Sequence, residues 1–137
     1  MGRDTRTGGV LEAMVLPALK QGGYGYQTQV VVGKRLGGSK HKVDALAEKN
    51  GERIIVSMKW QQVGGTAEQK VPFEVMCLAA EVKSKAFQKA YLVLGGEGWT
   101  LRDFYTSGEL VRHLIDAALV NVLTLEGFVA LANKGKL

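Results

Sequence analysis

The sequence holds one cysteine, two prolines and two histidines among 137 residues, and these scarcities exclude several classes of protein. Cys77, the single thiol, cannot close an internal disulfide. Its apolar surroundings mark it as a core residue of a reducing compartment rather than a nucleophile. His41 and His113 lie too far apart for zinc-ligand spacing. No apolar run is long enough to span a membrane, and the polar N-terminus lacks a signal-peptide pattern, so an intracellular setting is expected. Internal repeats, low-complexity stretches and an interdomain linker are also lacking.

What is present fits one globular domain over residues 1–137, with 46% hydrophobic and 23% charged residues. The net charge of +5 is unevenly spread. Lys34, Arg35, Lys40, His41 and Lys42 surround Gly37-Gly38, and Arg3 and Arg6 lie in a basic arm expected to be flexible over residues 1–7. Basic side chains on a glycine-bearing loop suit a phosphate backbone, and they also suit a loop that is merely solvated.

The most informative segment is a hairpin. Asn50-Gly51 separates two apolar runs, and both turn residues tolerate the positive φ that a two-residue hairpin turn needs. Counting outward from the turn pairs Lys49 with Glu52, Ala47 with Ile54 and Asp44 with Ser57. Lys59, two residues further, shares the face of Ser57. One face then carries Val43, Ala45, Ala47, Ile54, Val56 and Met58. The other carries Leu46 and Ile55 beside Asp44, Ser57 and Lys59. Apolar residues on both faces predict an internal strand, where Asp44 and Lys59 need each other, a metal or a ligand.

Helical spacing of Val10, Leu11, Met14, Val15, Ala18 and Leu19 predicts a helix over 7–21, kinked at Pro17 and ended by Gly22-Gly23. Glu12 lies within it. Tyr24 to Gly33 reads as a strand, and the basic loop leads into the hairpin. Val71, Val75, Leu78, Ala79 and Val82 predict a second helix, with Pro72 near its first turn. Tyr91–Leu94 reads as a buried strand, Leu110 to Ile115 as a third helix, Val120–Leu123 as a last strand and Leu125–Asn133 as a final helix capped by Thr124. This order predicts a mixed central β-sheet flanked by helices on both faces. Gly95-Gly96-Glu97-Gly98 lacks the ending of a phosphate loop and reads as a mobile turn.

A helix, a β-meander, an Asp on the second strand and x-x-Lys on the third together resemble the PD-(D/E)XK nuclease superfamily. The likeness covers residues 7–94, the catalytic core of that family's α-β-β-β-α-β plan, with an extra α-β-α beyond. Val43 stands where the motif has Pro, and Ser57 where it has an acid. Some restriction endonucleases of the superfamily share Ser-x-Lys and take the missing carboxylate from the following helix. Glu74, fifteen residues after Lys59, matches that arrangement, with Glu68 as fallback.

The resemblance implies Mg²⁺, with Mn²⁺ able to replace it, held by Asp44, Glu74 and the Met58 carbonyl. Hard cations of this kind take oxygen ligands. It implies that Lys59 positions or activates the attacking water and that Ser57 holds a water. Glu12 matches an additional acid near the metal. Gln61 and Gln62, with Trp60, suit contacts to DNA, although Trp60 also reads as core packing on the Met58 face. The implied activity is a structure-specific DNA endonuclease. Archaeal Holliday junction resolvases, homodimers acting on branched DNA, are similar in length, helix glutamate and basic loop. A general phage or bacterial nuclease, including the restriction type, and a non-catalytic DNA-binding module on the same fold remain alternatives.

Overall fold

The computed structural model describes residues 6–137. Most of the expected basic arm, Arg3 included, lies outside them. The N-terminal helix starts at Arg6 and runs as α1 (Arg6–Val10), a π-helical turn (Leu11–Val15) and α2 (Leu16–Gln21). The amide of Leu16 bonds the carbonyl of Leu11, five residues back. The widened turn just precedes Pro17, whose ring would clash with a carbonyl four residues back in a regular α-turn. The expected kink is therefore a π-helical turn, and Glu12 lies in it.

Five strands follow the order β1-β2-β3-β4-β5 in one sheet. They are β1 (Gly25–Lys34), β2 (Lys40–Lys49), β3 (Glu52–Trp60), β4 (Lys89–Gly95) and β5 (Val120–Thr124). The first three run antiparallel, whereas β3-β4 and β4-β5 pair in parallel. α3 (Ala67–Lys83) makes the crossover between β3 and β4. Pro72 within α3 has no amide to give the carbonyl of Glu68. Tyr105 Oη donates to that carbonyl instead, at 2.8 Å.

The sheet is covered on both faces. Leu11, Val15 and Leu19, with Phe128 and Ala132 of α5 (Leu125–Asn133), pack on Ala45, Ala47, Ile54, Val56 and Met58. Val71, Val75 and Leu78 of α3 pack on Leu46, Ile55, Leu92 and Leu94. Thr124 caps α5 as predicted, its Oγ1 accepting the Gly127 amide at 3.1 Å. The third helix differs from expectation. Short α4 (Arg102–Thr106) is followed by two 3-10 turns, because Gly108 and Asp116 adopt left-handed φ values of 86° and 65° and interrupt any longer helix.

The Asn50-Gly51 turn has φ of 54° and 80° and sets the predicted register from Lys49↔Glu52 to Ala45↔Val56. The paired ladder stops there, one residue short of the expected Asp44–Ser57 pair. Alternation also breaks at this level. Val43 joins Leu46 and Ile55 in the α3-side core, not Ala45 on the other face. The break lies where Gln29, with φ of 53°, comes between the Thr28↔Ala45 and Val30↔Val43 pairs.

Candidate active site

The end of the β2–β3 ladder creates the site. Beyond Ala45↔Val56 the strands separate, and Asp44 Oδ2 accepts the Met58 amide at 2.7 Å. The ladder's geometry thus passes from backbone to side chain. Asp44 opens into a cleft of about 590 Å³ lined by Gly8, Glu12, Gln29, Met58, Lys59, Trp60 and Lys70. Asp44 and Lys59 are each only half-buried, which argues against a sealed ion pair between them. Burial pushes the Asp44 carboxyl up from its ordinary value. The Met58 amide, the Lys59 charge and the Gln29 side chain pull against that rise.

Ser57 faces α3. Its Oγ donates to Glu74 Oε2 at 2.9 Å. The carboxylate of the following helix therefore reaches the residue that replaces the triplet's acid. Glu74 is buried and has further partners. His41 Nε2 lies 3.0 Å from Oε2, and Arg35 Nη1 bonds Oε1. Burial alone would raise the Glu74 pKa. Hydrogen bonds from His41 and Arg35, with the nearby Lys59 charge, outweigh it and hold the group at about 2. Asp44 and Glu74 are thus anchored on consecutive residues of β3, Met58 and Ser57.

Glu68, the fallback acid, serves another purpose. It accepts the amides of Thr100 at 2.9 Å and Leu101 at 2.6 Å and the side-chain Nε2 of Gln61 at 2.9 Å. Those bonds, the Thr100 amide first, lower its pKa despite burial. Glu68 therefore ties the loop after β4 to the loop after β3; neither Glu68 nor Glu74 is among the residues that line the cleft. Glycines let these loops touch. A Cβ on Gly96 would sit 2.4 Å from the Gln61 carbonyl oxygen, and one on Gly98 at 2.4 Å from the Val63 amide nitrogen. The Gly95–Gly98 segment is thus a turn packed on the loop after β3, not the mobile one expected.

The expected DNA-contacting residues divide. Lys34, Lys40, Lys42 and Gln62 are exposed. His41 is 0% exposed and is not available to a phosphate, because it lies between two carboxylates. Arg35 is half-buried and engaged with Glu74. Gln61 is buried and gives its Nε2 to Glu68 and to the Gly98 carbonyl. A basic or amide side chain near a loop reads as a surface group until the acid it faces is known. Trp60 lines the cleft but also lies against Gly95, where a Cβ would be 2.7 Å from its ring.

Three cleft or network residues escape the sequence reading. Gln29 and Lys70 line the cleft, and Glu81 contacts His41. Glu81 alone leaves a usable signal: it follows Glu74 by seven residues, which places both on one face of α3.

A mixed five-stranded sheet between helices, with an Asp and a Lys in a cleft where β2 and β3 separate, defines a restriction-endonuclease-like α/β domain. The family model of the PD-(D/E)XK nuclease superfamily domain matches residues 3–136. The chain belongs to this superfamily, whose nucleases generally use divalent metals and act on DNA. No curated protein matches it. A crystal structure described as a protein of unknown function, AF1548, is similar at 16% identity and a TM-score of 0.48. The match covers 80% of this chain and 54% of that one, so this chain spans about half the length of that neighbour. Among the described residues no helix is long and apolar enough to cross a membrane.

Proposed function

We propose that this domain is a metal-dependent DNA endonuclease, acting on branched DNA as a homodimer. The observation that carries the catalytic reading is Asp44, fixed by the Met58 amide at 2.7 Å and open to a cleft that also holds Lys59 and Glu12. The donor set is all oxygen. Among the described residues no group of three His, Cys, Asp or Glu could hold a metal alone. An all-oxygen donor set suits a hard cation such as Mg²⁺, which takes one or two carboxylates and completes its shell with water and substrate phosphate. Asp44, Glu74 and the Met58 carbonyl would hold it, with Mn²⁺ as a substitute. When bound, the cation supplies Lewis acidity at the scissile phosphate and lowers the pKa of an attacking water.

The chain's own residues do the rest. Gln29 and the Met58 amide orient Asp44. Lys59, on the strand residue next to Met58, offers an ammonium that orients the attacking water and offsets developing negative charge. Ser57 carries no charge and fixes Glu74. Glu12, brought to the cleft by the π-helical turn, is an additional acid on the same cavity. Lys34, Lys40 and Lys42 supply the phosphate contacts that precede cleavage.

One observation favours the second reading, a non-catalytic DNA-binding module. Glu74 is already paired with Arg35 and His41, so it reaches a cation only by sharing those partners or releasing one. Incubating the purified protein with labelled four-way junction, flap, single-stranded and duplex DNA, with Mg²⁺ or EDTA, separates the readings. Mg²⁺-dependent cleavage lost in Asp44→Asn supports the nuclease. Binding to all substrates with no cleavage under either condition supports the module. Preference for the junction, with paired symmetric nicks, supports the resolvase-like subtype.

A further inference from the structure

We infer that His41 is a positioning residue for Glu74, itself seated by Glu81, and that this buried chain decides how Glu74 is presented to a divalent cation. The inference rests on the reading of Glu74 as a metal ligand. It assigns a role to two residues outside the cleft.

The geometry is a line of contacts. His41 Nδ1 lies 3.2 Å from Glu81 Oε2, and His41 Nε2 lies 3.0 Å from Glu74 Oε2. Ser57 Oγ meets the same Glu74 oxygen at 2.9 Å. The two side chains from β2 and β3 thus converge on Oε2. Oε1 is left to Arg35, whose side chain retains 26% exposure. One oxygen is fixed by buried groups, and the other faces the only partially exposed member of the network.

The backbone is shaped to admit this chain. The β1–β2 register shifts between Val31 and Gly33, and Gly33 pairs with His41. A Cβ on Gly33 would lie 2.6 Å from Glu81 Oε2 and 2.7 Å from Oε1, so the irregular strand and its glycine make room for the Glu81 carboxylate. Glu74 and Glu81 are on one face of α3 and straddle the imidazole. A histidine with 0% exposure, each ring nitrogen set against a carboxylate, repeats the logic by which outer-shell partners fix the direction of a metal's own ligands. Ionic groups buried this completely contribute little to stability compared with apolar packing. A role in orienting Glu74 gives both acids beside this one histidine a use that packing does not.

The test uses Mn²⁺ binding to the DNA-free protein, read by the electron paramagnetic resonance of free Mn²⁺, with circular dichroism to confirm folding. The side-chain nitrogen of Gln reaches the position of a histidine Nε2, and that of Asn the position of Nδ1. His41→Gln keeps a donor toward Glu74, and His41→Asn keeps one toward Glu81. The expected result is a loss of Mn²⁺ affinity of about 10–100-fold for His41→Asn, the usual effect of removing an outer-shell partner, and a clearly smaller loss for His41→Gln, which keeps the contact to Glu74 and gives up the one to Glu81. A purely structural histidine predicts no such order. Equal affinities in the two variants, whether both retained or both lost, overturn the inference.

If His41→Asn does not fold, Glu81→Ala replaces it. That variant leaves His41 without its orienting acid and Glu74 intact. Weakened Mn²⁺ binding supports the inference, and unchanged binding overturns it. Glu74→Gln and Asp44→Asn are measured alongside. Mn²⁺ affinity that depends on Asp44 but not on Glu74 removes the ligand reading itself. Affinity that depends on both, with no effect of His41 or Glu81, removes only the positioning role.

Discussion

Ser57 Oγ donates a 2.9 Å hydrogen bond to Glu74 Oε2, joining the residue that occupies the triplet's acid position to the acid that lies nearest to it in space. The bond spans 17 residues of sequence and links β3 to α3. The Glu74 carboxylate of the helix is therefore directed at Ser57 on the strand. Glu74→Ala is expected to lose metal-dependent cleavage, and Ser57→Glu in that background to recover part of it. Ser57→Glu alone crowds a second carboxylate beside Glu74 and is expected to reduce activity. Cleavage of the best substrate from the DNA panel, in Mg²⁺ and in Mn²⁺, checks all three. A fully active Glu74→Ala protein removes Glu74 from the site.

The cleft residues make a separate prediction. Asp44→Asn is expected to abolish cleavage and retain DNA binding, since the exposed lysines proposed as phosphate contacts are elsewhere. Because burial disfavours the charged carboxylate of Asp44, the neutral variant should be at least as stable as wild type in the absence of metal. Lys59→Ala is expected to lose activity with the fold retained, because Lys59 borders an open cleft and not the core. Thermal melts and gel-shift titrations, run beside the cleavage assay, distinguish these outcomes. Global unfolding of Lys59→Ala would return the Asp44–Lys59 ion pair to favour.

Much of this arrangement is legible in the sequence, and the limits have physical reasons. An Asn-Gly turn fixes register by counting, so the ladder is right out to Ala45↔Val56. The count fails at Asp44, since Gln29 at φ 53° disrupts the facing strand and β2 no longer alternates. No local signal in the hairpin announces that. Glu74 can be proposed from its spacing to Lys59, but its partners cannot, because Arg35 and His41 look like surface cations until β1, β2 and α3 are packed together. Leu110 to Ile115 has helical spacing, yet two left-handed residues flank it and divide the segment into short turns. Spacing reports which residues share a face. It does not report where the backbone must turn.

Glu68 is expected to matter for stability and not for metal binding. Its carboxylate satisfies the amides of Thr100 and Leu101 and the side chain of Gln61. Leaving such buried donors unpaired in Glu68→Ala should cost about 1–3 kcal/mol. Its folded-state pKa lies below the ordinary 4.5, so the folded protein holds the ionised form more tightly than the unfolded chain does. The stability it contributes is full above the unfolded value and is lost as pH falls through the folded one. Urea titrations from about pH 3 to about pH 7 should show wild type losing stability with acid more steeply than Glu68→Gln. Unchanged stability together with lost Mn²⁺ binding would instead place Glu68 at the metal.

The basic hairpin loop should contribute affinity through its exposed lysines and not through its inward-turned members. Lys34, Lys40 and Lys42 are exposed, whereas His41 is sealed and Arg35 is committed to Glu74. Removing one lysine that neutralises a phosphate should flatten the slope of log K against log salt by roughly 0.9 for duplex DNA. Replacing the three lysines with alanine is therefore expected to weaken binding uniformly across DNA sequences and to reduce the slope in proportion to the phosphates no longer neutralised. Arg35→Ala, which deletes the same charge from the same loop, should leave that slope nearly unchanged, because its guanidinium already has a carboxylate partner. Fluorescence anisotropy titrations over a range of salt concentrations measure both. If Arg35→Ala flattens the slope as much as a lysine variant does, Arg35 leaves Glu74 for the phosphate backbone when DNA binds, and Glu74 Oε1 is released at the moment the substrate arrives.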